Sequence, residues 1–127
     1  MRVFSTKAFA RFQRRERIAD RALCYAVGSA EQGIIDADLG HGLIKLRIAR
    51  PGKGKSGGYR VLLAYRVGSL AVFLYGFAKS DRDNIDDDEL ELFRERAGQL
   101  LSDLEGIEAM IADDKMREVY CDQSEND

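Results

Sequence analysis

The chain has 127 residues, with 20 Lys and Arg against 22 Asp and Glu and a formal net charge of −2. An apolar content of 45% with 33% charged residues excludes a disordered chain, and the length suits one domain with one core. No apolar run approaches the ~20 residues of a membrane span, and the first residues lack the apolar segment of a signal peptide. These features predict a single cytoplasmic domain over residues 1–127, with no membrane association and a frayed tail from residue 120 onward.

Two short helices are predicted before the first long strand. Residues 2–4 have the composition of a short strand, and Ser5 and Thr6 offer N-cap hydroxyls for a helix near residues 6–14. A second helix is predicted from Glu16, because apolar residues recur at helical spacing until Gly28 and Gly33 mark its end. The outer face of this pair carries five arginines, Arg11, Arg14, Arg15, Arg17 and Arg21.

The apolar period changes from about 3.6 to 2 after Gly40, which predicts strands. Residues 44–48 alternate apolar and basic side chains, and residues 59–66 form the next strand with two distinct faces. Residues 50–58 contain one Pro and four Gly, a composition typical of a turn. Residues 70–79 are mostly apolar on both faces and are predicted to be central. The short links between these strands predict an antiparallel meander.

A helix is predicted after the third strand of this meander. Asp86 and Glu89 fit a capping box at its start, and further acids stabilise its first turn. An apolar stripe from Leu90 to Leu104 would cover one face of the sheet. Apolar residues between positions 107 and 119 predict a short further helical piece. Since no internal repeat or linker interrupts the chain, these elements predict one α+β domain.

Familiar catalytic and metal-binding motifs are incomplete in this chain. Lys55 lies in a GKS triplet, but a P-loop also needs a Gly at position 49, which is Ala, and a following helix in place of the predicted strand. The acidic run from Asp81 to Asp88 lacks the spacing of a calcium loop and suits a solvated helix start. The only histidine, His41, excludes a two-histidine metal site or a serine triad within one chain. We therefore predict neither a metal nor a cofactor.

The two cysteines give no sign of a metal site. Cys24 and Cys121 are far apart in the sequence and have no metal-ligand spacing. Two such residues in a chain without a leader segment predict separate reduced thiols. We expect them to pack as small apolar side chains in or near the core.

The charge is distributed unevenly along the chain. Residues 39–80 contain eight Lys or Arg and no Asp or Glu. Residues 1–60 carry 13 bases and 5 acids, whereas residues 61–127 carry 7 bases and 17 acids. A local positive field in a net-negative protein predicts an anionic partner. Basic residues on edge strands also suppress aggregation, but that role does not explain the complete absence of acids.

Aromatic residues also lie in the basic segment, and they add the stacking of nucleic-acid bases to its candidate roles. Unpaired bases can stack on aromatic side chains beside a positively charged groove. Core packing is the commoner role for each aromatic residue taken alone. The candidates are Tyr59, Tyr65, Tyr75 and Phe77.

Two segments carry a resemblance to the RelE/HigB-like toxins of bacterial toxin–antitoxin pairs, within the RelE/ParE superfamily. They are LGHGLIKLRIARPGKGKSGGYRVLLAYR and FLYGFAKSDRDNIDDDELELF. The combination of GKGKSGGYR with GFAKSDRDNI is more specific than either run alone, and the resemblance covers nearly the whole chain. It implies a RelE-like fold, a small twisted antiparallel sheet with two N-terminal helices and a C-terminal helix.

The resemblance also implies a function. Ribosome-dependent relatives enter the ribosomal A site and cleave mRNA, with the RNA 2′-hydroxyl as the nucleophile and without a metal. Cationic side chains would position the phosphate and stabilise the charge that develops in the transition state. By motif position, Arg60 and Arg82 would hold the phosphate while Lys53 or Lys55 assists proton transfer. The remaining predicted RNA-binding residues are Lys45, Arg47, Arg50 and Lys79.

Alternative functions stay open at this level. Well-known relatives use a C-terminal Tyr or a His in catalysis, but Tyr120 follows the last predicted helix and His41 has no motif match. The same fold serves ParE-like inhibitors of DNA gyrase, and a basic nucleic-acid-binding module is a third alternative. The resemblance implies an antitoxin partner, often with a helix-turn-helix, which we expect to cover the basic surface with an acidic element.

Overall fold

The computed structural model describes residues 1–50 and 54–121, without the side chains of residues 54–56. Along this part of the chain, two pairs of helices separate a first strand, a group of four strands and a last strand. In chain order the elements are β1 (Arg2–Thr6), α1 (Lys7–Glu16), α2 (Asp20–Glu31), β2 (Ala37–Gly40), β3 (Leu43–Arg50), β4 (Gly54–Arg66), β5 (Leu70–Ala78), α3 (Asp87–Leu101), α4 (Leu104–Ala112) and β6 (Met116–Val119).

The strands form one sheet in the order β2-β3-β4-β5-β1-β6. Neighbouring strands from β2 to β5 are antiparallel, which confirms the predicted meander. β1 pairs parallel with β5 and antiparallel with β6, so the sheet as a whole is mixed. The predicted α+β class and RelE-like arrangement are confirmed, and α4 is the predicted further helical piece. The expectation of a wholly antiparallel sheet is wrong, because β1 lies parallel to β5, and β2 and β6 are additional strands.

Each face of the sheet has its own core and its own pair of helices. One core joins Phe9 of α1 and Leu23 of α2 to Val61 of β4. The other core joins Leu62 of β4 to Ile107 of α4 and includes residues of α3. Because side chains alternate along a strand, the adjacent residues Val61 and Leu62 enter different cores.

Side-chain caps set the start of three helices, α1, α3 and α4. At α1, the Thr6 hydroxyl oxygen accepts a hydrogen bond from the backbone N–H of Phe9 at 3.2 Å. At α3, the Asp86 carboxylate accepts from the Glu89 N–H at 2.9 Å, and the Glu89 carboxylate accepts from the Asp86 N–H at 3.2 Å. The predicted capping box is therefore confirmed, and it satisfies two backbone donors that the helix itself leaves without partners.

Some predicted boundaries are wrong. α2 begins at Asp20 instead of Glu16, because Arg17 takes a left-handed conformation (φ 57°) that ends α1. β4 begins at Gly54, inside the segment predicted as a turn. The end of the predicted helical piece is the edge strand β6, since β1 offers a side for antiparallel pairing. The predicted frayed tail lies outside the described residues from position 122 onward.

The prediction of two separate reduced thiols is wrong. Cys24 of α2 and Cys121, which follows β6, form a disulfide bond across a sequence separation of 97 residues. The pairing of β6 with β1 returns the end of the described chain to the helical layer of α1 and α2. Only this tertiary arrangement brings the two sulfur atoms together.

Removal of the disulfide should destabilise the chain. The double variant Cys24→Ser/Cys121→Ser is expected to lose ~2–5 kcal/mol of unfolding free energy, because a bond closing so long a loop restricts the unfolded chain. Urea unfolding of the oxidised wild type and the double variant measures this difference. Dithiothreitol should lower the wild-type midpoint and leave the variant unchanged. Equal midpoints for the oxidised wild type and the variant would contradict the prediction.

Gly76 of β5 should not tolerate a side chain, because a Cβ at this position would overlap the ring of Phe12. Gly76→Ala is expected to lower the unfolding free energy by ~1–3 kcal/mol through overpacking. Gly98→Ala is the matched control, since Gly98 lies in α3 with open space where a Cβ would be added. Helix propensity should make this control neutral or stabilising by up to about 1 kcal/mol. Equal destabilisation of both variants in urea unfolding would rule out overpacking as the cause.

Candidate functional site

The register of β3, β4 and β5 places three basic side chains on one face of the sheet. Arg47 is the cross-strand partner of Arg60, and Arg60 is in turn the partner of Phe77. Lys45 lies two residues before Arg47 and therefore on the same face of β3. This is the face covered by α3 and α4, since Phe77 and Leu62 belong to that core.

Asp36, which precedes β2, pairs with all three of these cations. Its Oδ1 accepts a hydrogen bond from Arg47 Nε at 2.8 Å. Its Oδ2 lies 3.7 Å from Lys45 Nζ and 3.8 Å from Arg60 Nε. Because Arg60 is only 5% exposed, its guanidinium needs a counter-charge within the protein. Residues 39–80 contain no acid, but in the folded chain three of their cations lie close to the carboxylate of Asp36.

Arg82 is held by the first turn of α3. Its guanidinium donates two hydrogen bonds to the Glu89 carboxylate, from Nη2 to Oε1 at 2.6 Å and from Nη1 to Oε2 at 3.2 Å. Nη1 also donates to the Tyr75 hydroxyl at 3.1 Å, and the guanidinium carbon lies 5.7 Å from the centroid of the Phe77 ring. The bonds to Glu89 raise the pKa of Arg82 and lower the pKa of Glu89. Both groups are therefore charged at neutral pH.

Asn84 connects Arg82 to the strand cations. Lys45 Nζ donates to Asn84 Oδ1 at 3.5 Å, and Arg82 Nε donates to the backbone oxygen of Asn84 at 2.9 Å. Phe77 gives a second connection, because it is the cross-strand partner of Arg60 and lies beneath the Arg82 guanidinium. The four cations Lys45, Arg47, Arg60 and Arg82 are named the basic cluster below.

The other predicted site residues are not part of this cluster. Arg50 places its guanidinium carbon 5.5 Å from the ring centroid of Tyr59, which belongs to the core on the opposite face. Lys79 directly follows β5, and its backbone N–H donates to β4 at 3.0 Å. Lys53 lies outside the described residues, as does the side chain of Lys55.

The family of the chain follows from a match along almost its whole length. Residues 1–119 match the family model described as RelE toxin of RelE / RelB toxin-antitoxin system. The chain belongs to the RelE toxin family. The resemblance carried by the two sequence segments is thereby confirmed, and membership of a toxin–antitoxin family implies an antitoxin partner. A search of curated proteins finds no match to the chain.

In this RelE-family chain the candidate C-terminal tyrosine lies at the edge of the sheet. Tyr120 follows β6, which is the edge strand at the opposite end of the sheet from β2, and the residue is 77% exposed. His41 lies in the exposed turn between β2 and β3, with a φ of 57°. Tyr75, in contrast, packs its ring 5.2 Å from that of Phe93 and brings its hydroxyl to Arg82. In the described part of the chain, Tyr75 is therefore the tyrosine whose hydroxyl contacts the basic cluster.

The described part of the RelE-family chain has neither a candidate metal cluster nor a helix suited to a membrane. Within residues 1–50 and 54–121, no group of three or more His, Cys, Asp or Glu side chains could hold a metal ion. None of the described helices combines the length and apolar character needed to cross a membrane.

Sequence reasoning missed three polar members of this site. Asn84 lies in GFAKSDRDNI, the segment that carried the family resemblance, so a signal for it was present. Glu89 was recognised only as a helix cap, because local patterns do not show that its carboxylate also reaches Arg82. No sequence pattern indicated Asp36, because its contacts depend on how the chain enters the edge strand β2.

Glu89→Gln should remove an acid-sensitive part of the stability. Because Arg82 lowers the pKa of Glu89, the pair stabilises the fold above the unfolded glutamate pKa of about 4.3. That contribution is lost as the pH falls through the lower pKa of the folded state. The thermal midpoint of Glu89→Gln is therefore expected below that of the wild type at neutral pH, with a difference that shrinks as the pH falls through the lowered pKa of Glu89.

The matched control for this measurement is Glu91→Gln, which changes an exposed glutamate of the same helix. This control should follow the wild-type curve, because among the described residues no ion pair or side-chain hydrogen bond involves Glu91. A constant difference between wild type and Glu89→Gln over the whole pH range would contradict the proposed link to Arg82.

Proposed function

We propose that this toxin is an endoribonuclease that cleaves mRNA on the ribosome and so inhibits translation. The observation that supports this proposal best is the basic cluster, in which Asn84 joins Lys45 to Arg82. An mRNA offers the cluster a chain of phosphates, and several cations on one sheet face suit a polyanion better than a neutral ligand. Such an activity places the working site of the protein in the cytoplasm.

The cluster suits a metal-independent transfer of the phosphoryl group. The RNA 2′-oxygen forms a bond to the adjacent phosphorus, and the bond from phosphorus to the 5′-oxygen breaks. A base takes the proton of the 2′-hydroxyl, and the leaving 5′-oxygen takes up a proton to become a 5′-hydroxyl. The other product is a cyclic phosphate, which hydrolysis converts to a 3′-phosphate. Cations lower the barrier because negative charge accumulates on the phosphate oxygens.

The cations of the cluster would contribute in different ways. The Arg47 and Arg82 side chains are 49% and 30% exposed, so they are accessible to a phosphate. Arg60 is buried, and water screens its charge less than it screens a charge at the surface. We assign proton transfer to Lys53 or Lys55, with Arg50 and Lys79 as more distant RNA contacts.

The antitoxin partner would act on the same surface. We propose that it contains a helix-turn-helix and lays an acidic segment over the basic cluster. Covering the cluster would exclude the phosphates of mRNA from Arg47 and Arg82. Complementary charge would also speed the association of the two proteins and favour the correct partner.

Arg60→Ala and Arg82→Ala should each lower the rate of mRNA cleavage on programmed ribosomes by ~10²–10³-fold, because each removes charge stabilisation of the transition state. Growth arrest on induction should be lost in parallel. Arg21→Ala is the control, because Arg21 is an exposed arginine of α2 on the opposite helical layer. Arg60→Lys, which keeps the buried charge, should retain more activity than Arg60→Ala. Full toxicity of both alanine variants would contradict the assignment.

Mapping of mRNA 5′ ends after induction separates this function from its alternatives. New 5′-hydroxyl ends in phase with codons are expected for cleavage on the ribosome. Intact mRNA with DNA-damage signalling would instead identify a gyrase inhibitor. Intact mRNA without such signalling, but with salt-dependent RNA binding, would identify a non-cleaving nucleic-acid-binding protein.

A further inference from the structure

We propose that Asp36 is a positioning residue of the basic cluster, a role that rests on the proposed cleavage of RNA. Its carboxylate accepts a hydrogen bond from Arg47 Nε and lies beside Arg60 Nε, and this leaves the Nη groups of the exposed Arg47 for an incoming phosphate. Asp36 would not touch the RNA itself. Its effect on cleavage would pass through the two arginines.

The contacts of Asp36 use one edge of each guanidinium. Arg47 donates from Nε at 2.8 Å, and the closest nitrogen of Arg60 is also Nε, at 3.8 Å. Arginine has five N–H donors, of which Nε carries one. Within the described residues, the Nη atoms of Arg47 make no hydrogen bond, and Arg60 makes one long Nη1 bond of 3.4 Å to the Tyr59 carbonyl. The two Nη groups of the exposed Arg47 therefore remain as donors for the two oxygens of a phosphate.

The backbone fixes the position of the Asp36 carboxylate. The N–H of Asp36 donates to the carbonyl oxygen of Lys45 at 2.8 Å, which joins the entry of β2 to β3. The Asp36 side chain is only 15% exposed, so water competes little for its oxygens. A carboxylate held in this way restricts the rotamers of two long side chains before any ligand arrives.

Electrostatics gives a second reason for this acid. Arg47 and Arg60 are direct cross-strand partners, and like charges in that relation repel each other. One carboxylate close to both arginines and to Lys45 offsets the repulsion and leaves the group with a net positive charge. The cluster can then stay ordered without losing its attraction for a phosphate.

The test compares Asp36→Asn with Asp38→Asn. Both variants remove one negative charge from neighbouring positions of the chain. Asp38 is exposed, and its Oδ1 accepts from the Gly40 N–H at 3.0 Å, a bond that an asparagine oxygen also accepts. Asp38→Asn therefore reports the effect of the charge change alone. Asp36→Glu, which keeps the charge on a longer side chain, tests the need for the geometry.

The rate of cleavage and the affinity for RNA together distinguish positioning from other roles. Single-turnover cleavage at saturating protein should fall ~10–100-fold in Asp36→Asn, because misplaced groups lose catalytic power steeply with distance. Binding of a single-stranded RNA with a 2′-deoxy residue at the scissile site should stay equal or become tighter, since the variant gains net positive charge. Asp38→Asn should cleave at the wild-type rate. Equal or faster cleavage by Asp36→Asn would show that Asp36 competes with the phosphate, and it would overturn the proposal.

A readout without cleavage separates this proposal from the proposed function. In nuclear magnetic resonance spectra, the Nε–H signal of Arg47 should exchange slowly with water in the wild type and in Asp38→Asn, because each keeps the oxygen that accepts its bond. It should exchange rapidly in Asp36→Ala, which has no side-chain oxygen to accept that bond. An unchanged signal in Asp36→Ala would overturn the positioning role whether or not the wild type cleaves mRNA. The expected loss of protection in a protein that cleaves nothing would support positioning and refute the endonuclease.

Discussion

The proposed site depends above all on a counter-charge for one buried guanidinium, that of Arg60. Arg60 lies on the interior strand β4 with 5% of its surface exposed, and it faces a second arginine, Arg47, on β3. A charge so poorly hydrated destabilises the fold unless a counter-charge lies close by. Asp36 supplies that counter-charge from the entry to the edge strand β2. The same contact gathers Lys45 and Arg47 around one carboxylate, so the compensation of Arg60 also assembles the strand part of the basic cluster.

The rest of the cluster depends on the start of a helix. Glu89 closes the capping box of α3 and also binds the guanidinium of Arg82, so one carboxylate serves both the helix and the site. The position of Arg82 is therefore coupled to the position at which α3 begins. Asn84 carries this coupling to Lys45 on β3. Substitutions around the cluster consequently affect stability and site geometry together, and conservative variants are needed to separate the two effects.

Local patterns predicted the elements whose causes are local. Side-chain alternation indicated β3 and β4, and an apolar run indicated β5. The capping residues Thr6 and Asp86 indicated where α1 and α3 begin, because such causes act within about four residues. The strand β6 could not be predicted in the same way. Four residues fit a helical or an extended period equally well, and the pairing of Val3 with Val119 joins opposite ends of the chain. The disulfide between Cys24 and Cys121 depends on that same pairing.

The sequence by itself determined the chemistry of the candidate site, a stretch of 42 residues with eight cations and no acid, which overlaps both segments that resemble the RelE-like toxins. The tertiary structure alone decided which charges meet. Strand register set Arg47 against Arg60, and chain folding brought Asp36 and Arg82 to the same face. The physical reason is range: periodicity and capping act between near neighbours, whereas contacts between distant residues depend on register and packing. In the folded chain, cations from the acid-free stretch therefore pair with Asp36, and the neighbouring Arg82 pairs with Glu89.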